Sequence, residues 1–123
     1  FPATRLRRTR QAPWLRDLVR EHAVSVRDLI WPIFLVDGEQ ERQPLASLPG
    51  VERYSIDVAL HEIGIAADLG IQAIAVFPVT PAAKKDEQGR EAVNPDNLVC
   101  RALQAIKARY PHIGLICDVA LDP

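Results

Sequence analysis

Three short apolar runs, at residues 29–36, 71–79 and 113–121, constrain this chain more than any other feature. Each is rich in the β-branched residues that suit a pleated strand, and none alternates polar with apolar positions. Strands written this way are expected to be covered on both faces, as in parallel sheets with helices packed against them. Equivalent points in successive runs lie about 40 residues apart, which leaves room for a helix in each connection and calls for right-handed parallel crossovers.

The intervening segments carry helical signals. Ile56, Ala59, Leu60, Ile63 and Ala67 fall on one face at helical spacing, with Ser55 as the expected N-cap and Gly70 as the stop. Gly64 weakens this helix slightly. A second helix is expected to open at Asn94 as N-cap, with Pro95 at its first position and Asp96 at the positive end of the dipole. Leu98, Val99, Ala102, Leu103 and Ile106 form its apolar stripe, and Pro111 ends it. Ahead of the first strand, residues 13–20 predict a short helix, and Ser25 to Asp28 have capping-box spacing.

The element order is thus an arm followed by β, α, β, α, β, which fits either a barrel or a doubly wound sheet. Loop lengths favour the barrel. Helix-to-strand turns at Gly70 and at Pro111-His112 are tight, whereas the strand-to-helix segments 37–54 and 78–93 are long and gather on one face. In (β/α)8 enzymes that face, at the C-terminal ends of the strands, carries the active site. The expected class is therefore α/β, the N-terminal part of a TIM (β/α)8 barrel with an extended N-terminal arm. Residues 1–24 are the arm with its short helix, and 25–123 are the first three βα units of an incomplete barrel. Eight such units need roughly 320 residues at this spacing. Three strands leave a long apolar edge unpaired, so an autonomous fold and a complete protein are not expected.

Charge separates the arm from the rest. The first 20 residues hold six arginines against Asp17, or +5, and the net charge of −1 leaves −6 on the remainder. Arg5, Arg7, Arg8 and Arg10 suit either phosphate contact or docking on an acidic surface of a neighbouring subunit. No aromatic interleaving or recognised nucleic-acid fold accompanies them, so docking is the expectation and nucleic acid is not. No apolar run approaches the roughly 20 residues that span a bilayer, so no membrane partner is expected. Cys100 and Cys117 have no metal-ligand spacing and are too few for a disulfide framework. Both are expected to be buried packing residues in a cytoplasmic protein.

Asp118 and Asp122 stand at the end of the third run, on the same side if the strand stays regular. A carboxylate inside an apolar strand is costly unless used or paired, which makes Asp118 a candidate catalytic group. Asp122, before Pro123, reads equally as a turn signal and as a possible cation ligand shared with Asp118. Phe77 ends the second strand, either on the rim of a pocket or in the core. Lys84 and Lys85 lie in a charged loop that keeps them solvated, which argues against Schiff-base chemistry there. His22, His61 and His112 show no ligand spacing and read as surface or capping residues.

Several stretches resemble the porphobilinogen synthase, or 5-aminolevulinate dehydratase, family: RLRR at 5–8, DLIWPIFLVDG at 28–38, LPGVER at 48–53, AVFPV at 75–79, KDEQGREA at 85–92, NPDNL at 94–98 and DVALDP at 118–123. The resemblance covers essentially the whole chain. It implies a lyase (hydro-lyase) of tetrapyrrole and heme biosynthesis that condenses two 5-aminolevulinate molecules into porphobilinogen with loss of two waters. The family's two Schiff-base lysines belong to later strands, so the chain alone is expected to be inactive. By the same resemblance, Asp118 matches a strand-end aspartate beside the active site and Phe77 a position on the substrate pocket. The arm arginines match a segment that wraps a neighbouring subunit in dimers that build a homo-octamer.

In the family's zinc-dependent members, positions 120 and 122 are cysteines, whereas here they are Ala120 and Asp122. A hard oxygen suits magnesium, or no metal at all, and not the soft sulfur site of zinc, so no catalytic zinc is expected and Asp122 is the candidate ligand if magnesium binds. The competing reading is a small doubly wound α/β binding or signalling module. It would need a ligand-binding loop after the first strand, yet the segment from Asp37 to Glu41 is acidic and lacks a glycine-rich cradle.

Overall fold

The computed structural model describes residues 3–4 and 7–119. A short 3-10 turn at Arg8–Arg10 and helix α1 (Pro13–Leu18) make up the arm, with Pro13 at the first helical turn. Ser25 then closes a capping box with Asp28 around the 3-10 turn Val26–Asp28: the Asp28 carboxylate accepts from the Ser25 backbone N–H at 2.8 Å. That turn delivers the chain into the sheet.

The sheet contains β1 (Ile30–Leu35), β2 (Arg42–Pro44), β3 (Glu52–Tyr54), β4 (Ala73–Pro78) and β5 (Gly114–Cys117), in the spatial order β2-β3-β1-β4-β5. The three strands expected from the apolar runs are β1, β4 and β5, and they are parallel. The pair β2 and β3 was not expected. It forms an antiparallel ribbon inside the long segment 37–54, and β3 runs parallel to β1 through Phe34↔Arg53 and Leu35↔Tyr54. Both strands are only three residues long and polar, which is why no apolar signal marks them. Pro32 is tolerated in the middle of β1 because β1 has a second neighbour only at Phe34 and Leu35.

Helices α2 (Ile56–Asp68) and α3 (Leu98–Arg109) cover one face of the sheet. Ile33 and Leu35 of β1, Ile74 and Val76 of β4, Ala59 and Ile63 of α2, and Leu98, Ala102 and Ile106 of α3 form a single buried cluster. The other face is bare: Ile30 of β1, Phe77 of β4 and Ile116 of β5 stay 53%, 41% and 46% exposed. Coverage of both strand faces therefore does not hold among the described residues. The non-alternating runs are apolar on both sides, but both helices pack on the same side.

Helix α3 starts later than expected. Its N-cap is Asn97 and not Asn94, and the Asn97 side chain accepts from the Cys100 N–H at 2.8 Å. Asn94 instead organises the preceding turn, accepting from the Asp96 N–H at 3.0 Å, with Pro95 inside that turn. Two Asn residues three apart compete for the cap; the second wins because Leu98, the first helical residue, is the one the core buries. Lys107 ties the other end of α3, donating to the Ile113 carbonyl at 2.6 Å.

Gly64 has a packing reason that its low helix propensity hides. The Tyr110 hydroxyl donates to the Leu60 carbonyl at 2.9 Å, and a Cβ at position 64 would lie 2.6 Å from that hydroxyl oxygen. Gly70 follows α2 with φ +93, the left-handed conformation that ends a helix. Ser55, fully buried, precedes α2 and binds the start of the ribbon: its Oγ accepts from the Glu41 N–H at 2.9 Å, and its own N–H donates to the Glu41 carbonyl at 3.1 Å. Its hydroxyl in turn donates to Asp57, which also accepts from the Gln40 N–H at 3.0 Å. Arg42 of β2 completes the attachment by pairing with Glu52 at 3.1 Å and with Glu62 of α2.

Two predictions follow from this packing. Gly64→Ala gains about 1 kcal/mol of helix propensity but drives the new methyl into Tyr110, so a net loss of about 1–2 kcal/mol is expected in urea unfolding of the intact protein. In a Tyr110→Phe background the same change becomes neutral or stabilising, because the next ring atom is 3.5 Å away. The Ser55 hydroxyl holds the Asp57 carboxyl below its ordinary value of 3.8, against partial desolvation, with backbone N–H groups adding to it. A depressed folded value stabilises above the unfolded one and loses that contribution as pH falls through the folded one. Asp57→Asn should therefore lower stability near neutrality, and the gap to wild type should close in unfolding titrations as pH falls below the ordinary carboxyl value of 3.8 and through the lower folded one.

Candidate functional site

The C-terminal ends of the parallel strands meet at one cavity of about 390 Å³. Phe77 and Pro78 of β4, Cys117 of β5 and Asp118 line one side, and Leu98 and Leu103 of α3 line another. Asp37, just beyond β1, and Lys84 and Glu91, from the segment between β4 and α3, close the rest. The strand register explains the grouping. Phe34 sits opposite Phe77, and Val76 opposite Cys117, so the chain places Asp118 one residue past the last paired position of β5. Phe34 and Phe77 pack with ring centroids 5.8 Å apart, tilted by 31°.

Of the residues singled out from sequence, Phe77 and Asp118 are thus brought to the same cavity, and both are exposed. Asp122, Ala120 and Arg5 lie outside the described residues. Arg7, Arg8 and Arg10 sit on the exposed arm, where the Arg10 carbonyl accepts from Arg16 at 3.0 Å. None of the three lines the cavity. The two cysteines differ from expectation: Cys100 is only partly buried and Cys117 is exposed, and both line the cavity. Cys117 is the last residue of β5, at the strand end that opens into the cavity. His22, His61 and His112 are all exposed.

Sequence reasoning missed an ion-pair network at the cavity wall. Asp37 accepts from Arg101 of α3 at 2.8 Å and from Lys84 at 3.4 Å, and Lys84 is also 3.4 Å from Glu91. The Arg101 guanidinium, helped by Lys84, holds the Asp37 carboxyl below its ordinary value, against desolvation that pushes it up. No local pattern announces these contacts, because the partners lie 47 and 64 residues from Asp37. Lys84, placed by sequence in a solvated loop, is exposed and is in addition an ion-pair partner at the wall.

Chemically, the cavity offers a carboxylate for proton transfer or for stabilising positive charge, an aromatic surface, and a partly apolar floor. Among the described residues, no cluster of His, Cys, Asp or Glu is arranged to hold a metal ion, and no helix is long and apolar enough to cross a membrane.

Known proteins resemble the chain closely in sequence and in fold. The family model described as delta-aminolevulinic acid dehydratase matches residues 3–123. The delta-aminolevulinic acid dehydratase of Bradyrhizobium diazoefficiens is 54% identical over 121 residues, covering 98% of this chain and 34% of the relative. That of Chlamydia pneumoniae is 41% identical over 119 residues, covering 97% of this chain and 36% of the relative. The chain therefore spans about a third of the length of the curated relatives it matches. A crystal structure of delta-aminolevulinic acid dehydratase (porphobilinogen synthase) from Toxoplasma gondii ME49, in complex with the reaction product porphobilinogen, superposes with a TM-score of 0.87 at 39% identity. It is covered to 33% of its length by 96% of this chain. An α/β arrangement of parallel strands under two helices, matched this closely in fold and over nearly all of its residues in sequence, makes the chain a member of the delta-aminolevulinic acid dehydratase family.

Proposed function

We propose that this chain is part of a porphobilinogen synthase, a hydro-lyase that joins two 5-aminolevulinate molecules into porphobilinogen with release of two waters. The observation that carries the reading is the close superposition on a relative holding porphobilinogen, at 39% identity. The bare sheet face supports a (β/α)8 barrel as the complete architecture: an apolar face carrying Ile30, Phe77 and Ile116 becomes the packed interior once further parallel strands close the sheet. The cavity then opens at the C-terminal strand ends, where such barrels hold their active sites. A small doubly wound binding module fits less well, since nothing in the sequence supplies the expected loop and the relatives from Bradyrhizobium diazoefficiens and Chlamydia pneumoniae are both dehydratases.

Within that reading Asp118 assists proton transfers or stabilises the cationic intermediates that condensation of an amine with a ketone generates. Phe77 supplies an apolar surface beside it that excludes water. Of the described residues lining the cavity, Lys84 alone carries an amine, and it is paired with two carboxylates. The amines that attack substrate in this chemistry are assigned to residues other than those described. We also assign the enzyme to the members without catalytic zinc. Ala120 and Asp122 offer no thiolate, so the donor set does not fit a three-cysteine zinc site, and the Asp122 oxygen suits magnesium. The arm arginines are assigned to a neighbouring subunit's acidic surface in a homo-oligomer.

In the full-length protein supplied with 5-aminolevulinate, porphobilinogen should accumulate, and Asp118→Asn should lower kcat by roughly 10²–10⁴-fold without abolishing substrate binding. A variant with wild-type kcat would remove Asp118 from the chemistry. Activity should survive a zinc-selective chelator; loss of activity that zinc alone restores would overturn the assignment on metal.

A further inference from the structure

We propose that Asp37 is a positioning residue for this reaction, clamping the segment between β4 and α3 to the end of β1 and thereby fixing part of the wall of the cavity that Asp118 also lines. The inference rests on the functional reading above. One carboxylate joins three parts of the chain: its Oδ1 accepts from Arg101 of α3 at 2.8 Å, and its Oδ2 accepts from Lys84 at 3.4 Å. Lys84 passes the connection to Glu91 at 3.4 Å, whose other oxygen accepts from the Asn94 amide at 3.1 Å. The Glu91 backbone carbonyl accepts from Asn97 at 3.3 Å, and Asn97 is the cap of α3. Asp37, Lys84 and Glu91 all line the cavity with Asp118.

Two features give this network a positioning role. Residues 81–88 are all exposed, so no buried apolar side chain anchors this middle part of the segment and its position depends on polar contacts. The network is also charge-balanced, with Arg101 and Lys84 against Asp37 and Glu91, which leaves no surplus charge to recruit an ionic ligand. Exposed ion pairs add little to global stability. Both ends of the segment are held, by the Val79 N–H on the Leu35 carbonyl at 2.8 Å and by the Asn97 amide on the Glu91 carbonyl at 3.3 Å, so the exposed stretch between them needs little, and its opening equilibrium is what a shared carboxylate controls.

The test uses the full-length enzyme with Asp37→Asn and Asp37→Glu, reading kcat and KM for 5-aminolevulinate beside the rate of tryptic cleavage after Lys84, Lys85 and Arg90. Asp37→Asn should speed cleavage roughly three- to tenfold and raise KM by a similar factor while kcat changes less, because a wall orients substrate and transfers no proton. Asp37→Glu should recover part of both effects. Wild-type cleavage and KM in Asp37→Asn, or faster cleavage with unchanged kinetics, overturns the positioning role. A wild-type enzyme that makes no porphobilinogen refutes the functional reading instead, and the cleavage rates then decide the clamp alone.

Discussion

The parallel pairing of β1 with β4 runs through six residue pairs, from Ile30↔Ala73 to Leu35↔Pro78, and the rest of the structure depends on its register. A slip of one residue would turn Ile74 and Val76 away from Ile33 and Leu35 and break the cluster that α2 and α3 cover. The same register sets Phe34 beside Phe77 on the opposite face and carries β5, through Val76↔Cys117, to the point where Asp118 meets the cavity. Core and candidate site are thus two faces of one alignment.

Apolar burial and charge do different work. Each fully buried Ile or Leu of the cluster is worth about 2–5 kcal/mol against truncation to alanine, whereas an exposed ion pair contributes at most about 1 kcal/mol. The layer of strands and helices is therefore held by Ile33, Leu35, Ile63, Ile74 and Ile106. The pairs made by Arg42 and by Asp37 attach what the core does not reach: the polar β2–β3 ribbon in one case, the segment before α3 in the other. Ser55 is the exception that joins both regimes. It is a buried polar residue whose hydroxyl and N–H are both used to seat the ribbon on the N-terminus of α2.

The bare face is the feature that most connects fold to function. Ile30, Phe77 and Ile116 are exposed apolar residues on one side of a sheet whose other side carries the buried cluster. A surface of that kind is unfavourable in water and is stable when closed over, which agrees with a chain that spans about a third of its relatives' length. Phe77 stands where that bare face meets the cavity.

Much of the fold was legible in the chain itself. Three β-branched apolar runs gave β1, β4 and β5 and their parallel order, helical spacing gave α2 and α3, and Gly70, Pro111 and the Ser25–Asp28 box gave turns, because each of these is a local preference of backbone or side chain. The family motifs pointed to Asp118 and Phe77, and the register brings those two residues to one cavity. Tertiary structure alone decided what depends on partners far away in sequence. It chose Asn97 over Asn94 as the cap by burying Leu98, gave Gly64 a purpose through Tyr110, left one sheet face bare, exposed Cys117, and joined Asp37 to Lys84 and Arg101. Each is a contact between side chains brought together only after the strands align, and local propensity carries no record of it.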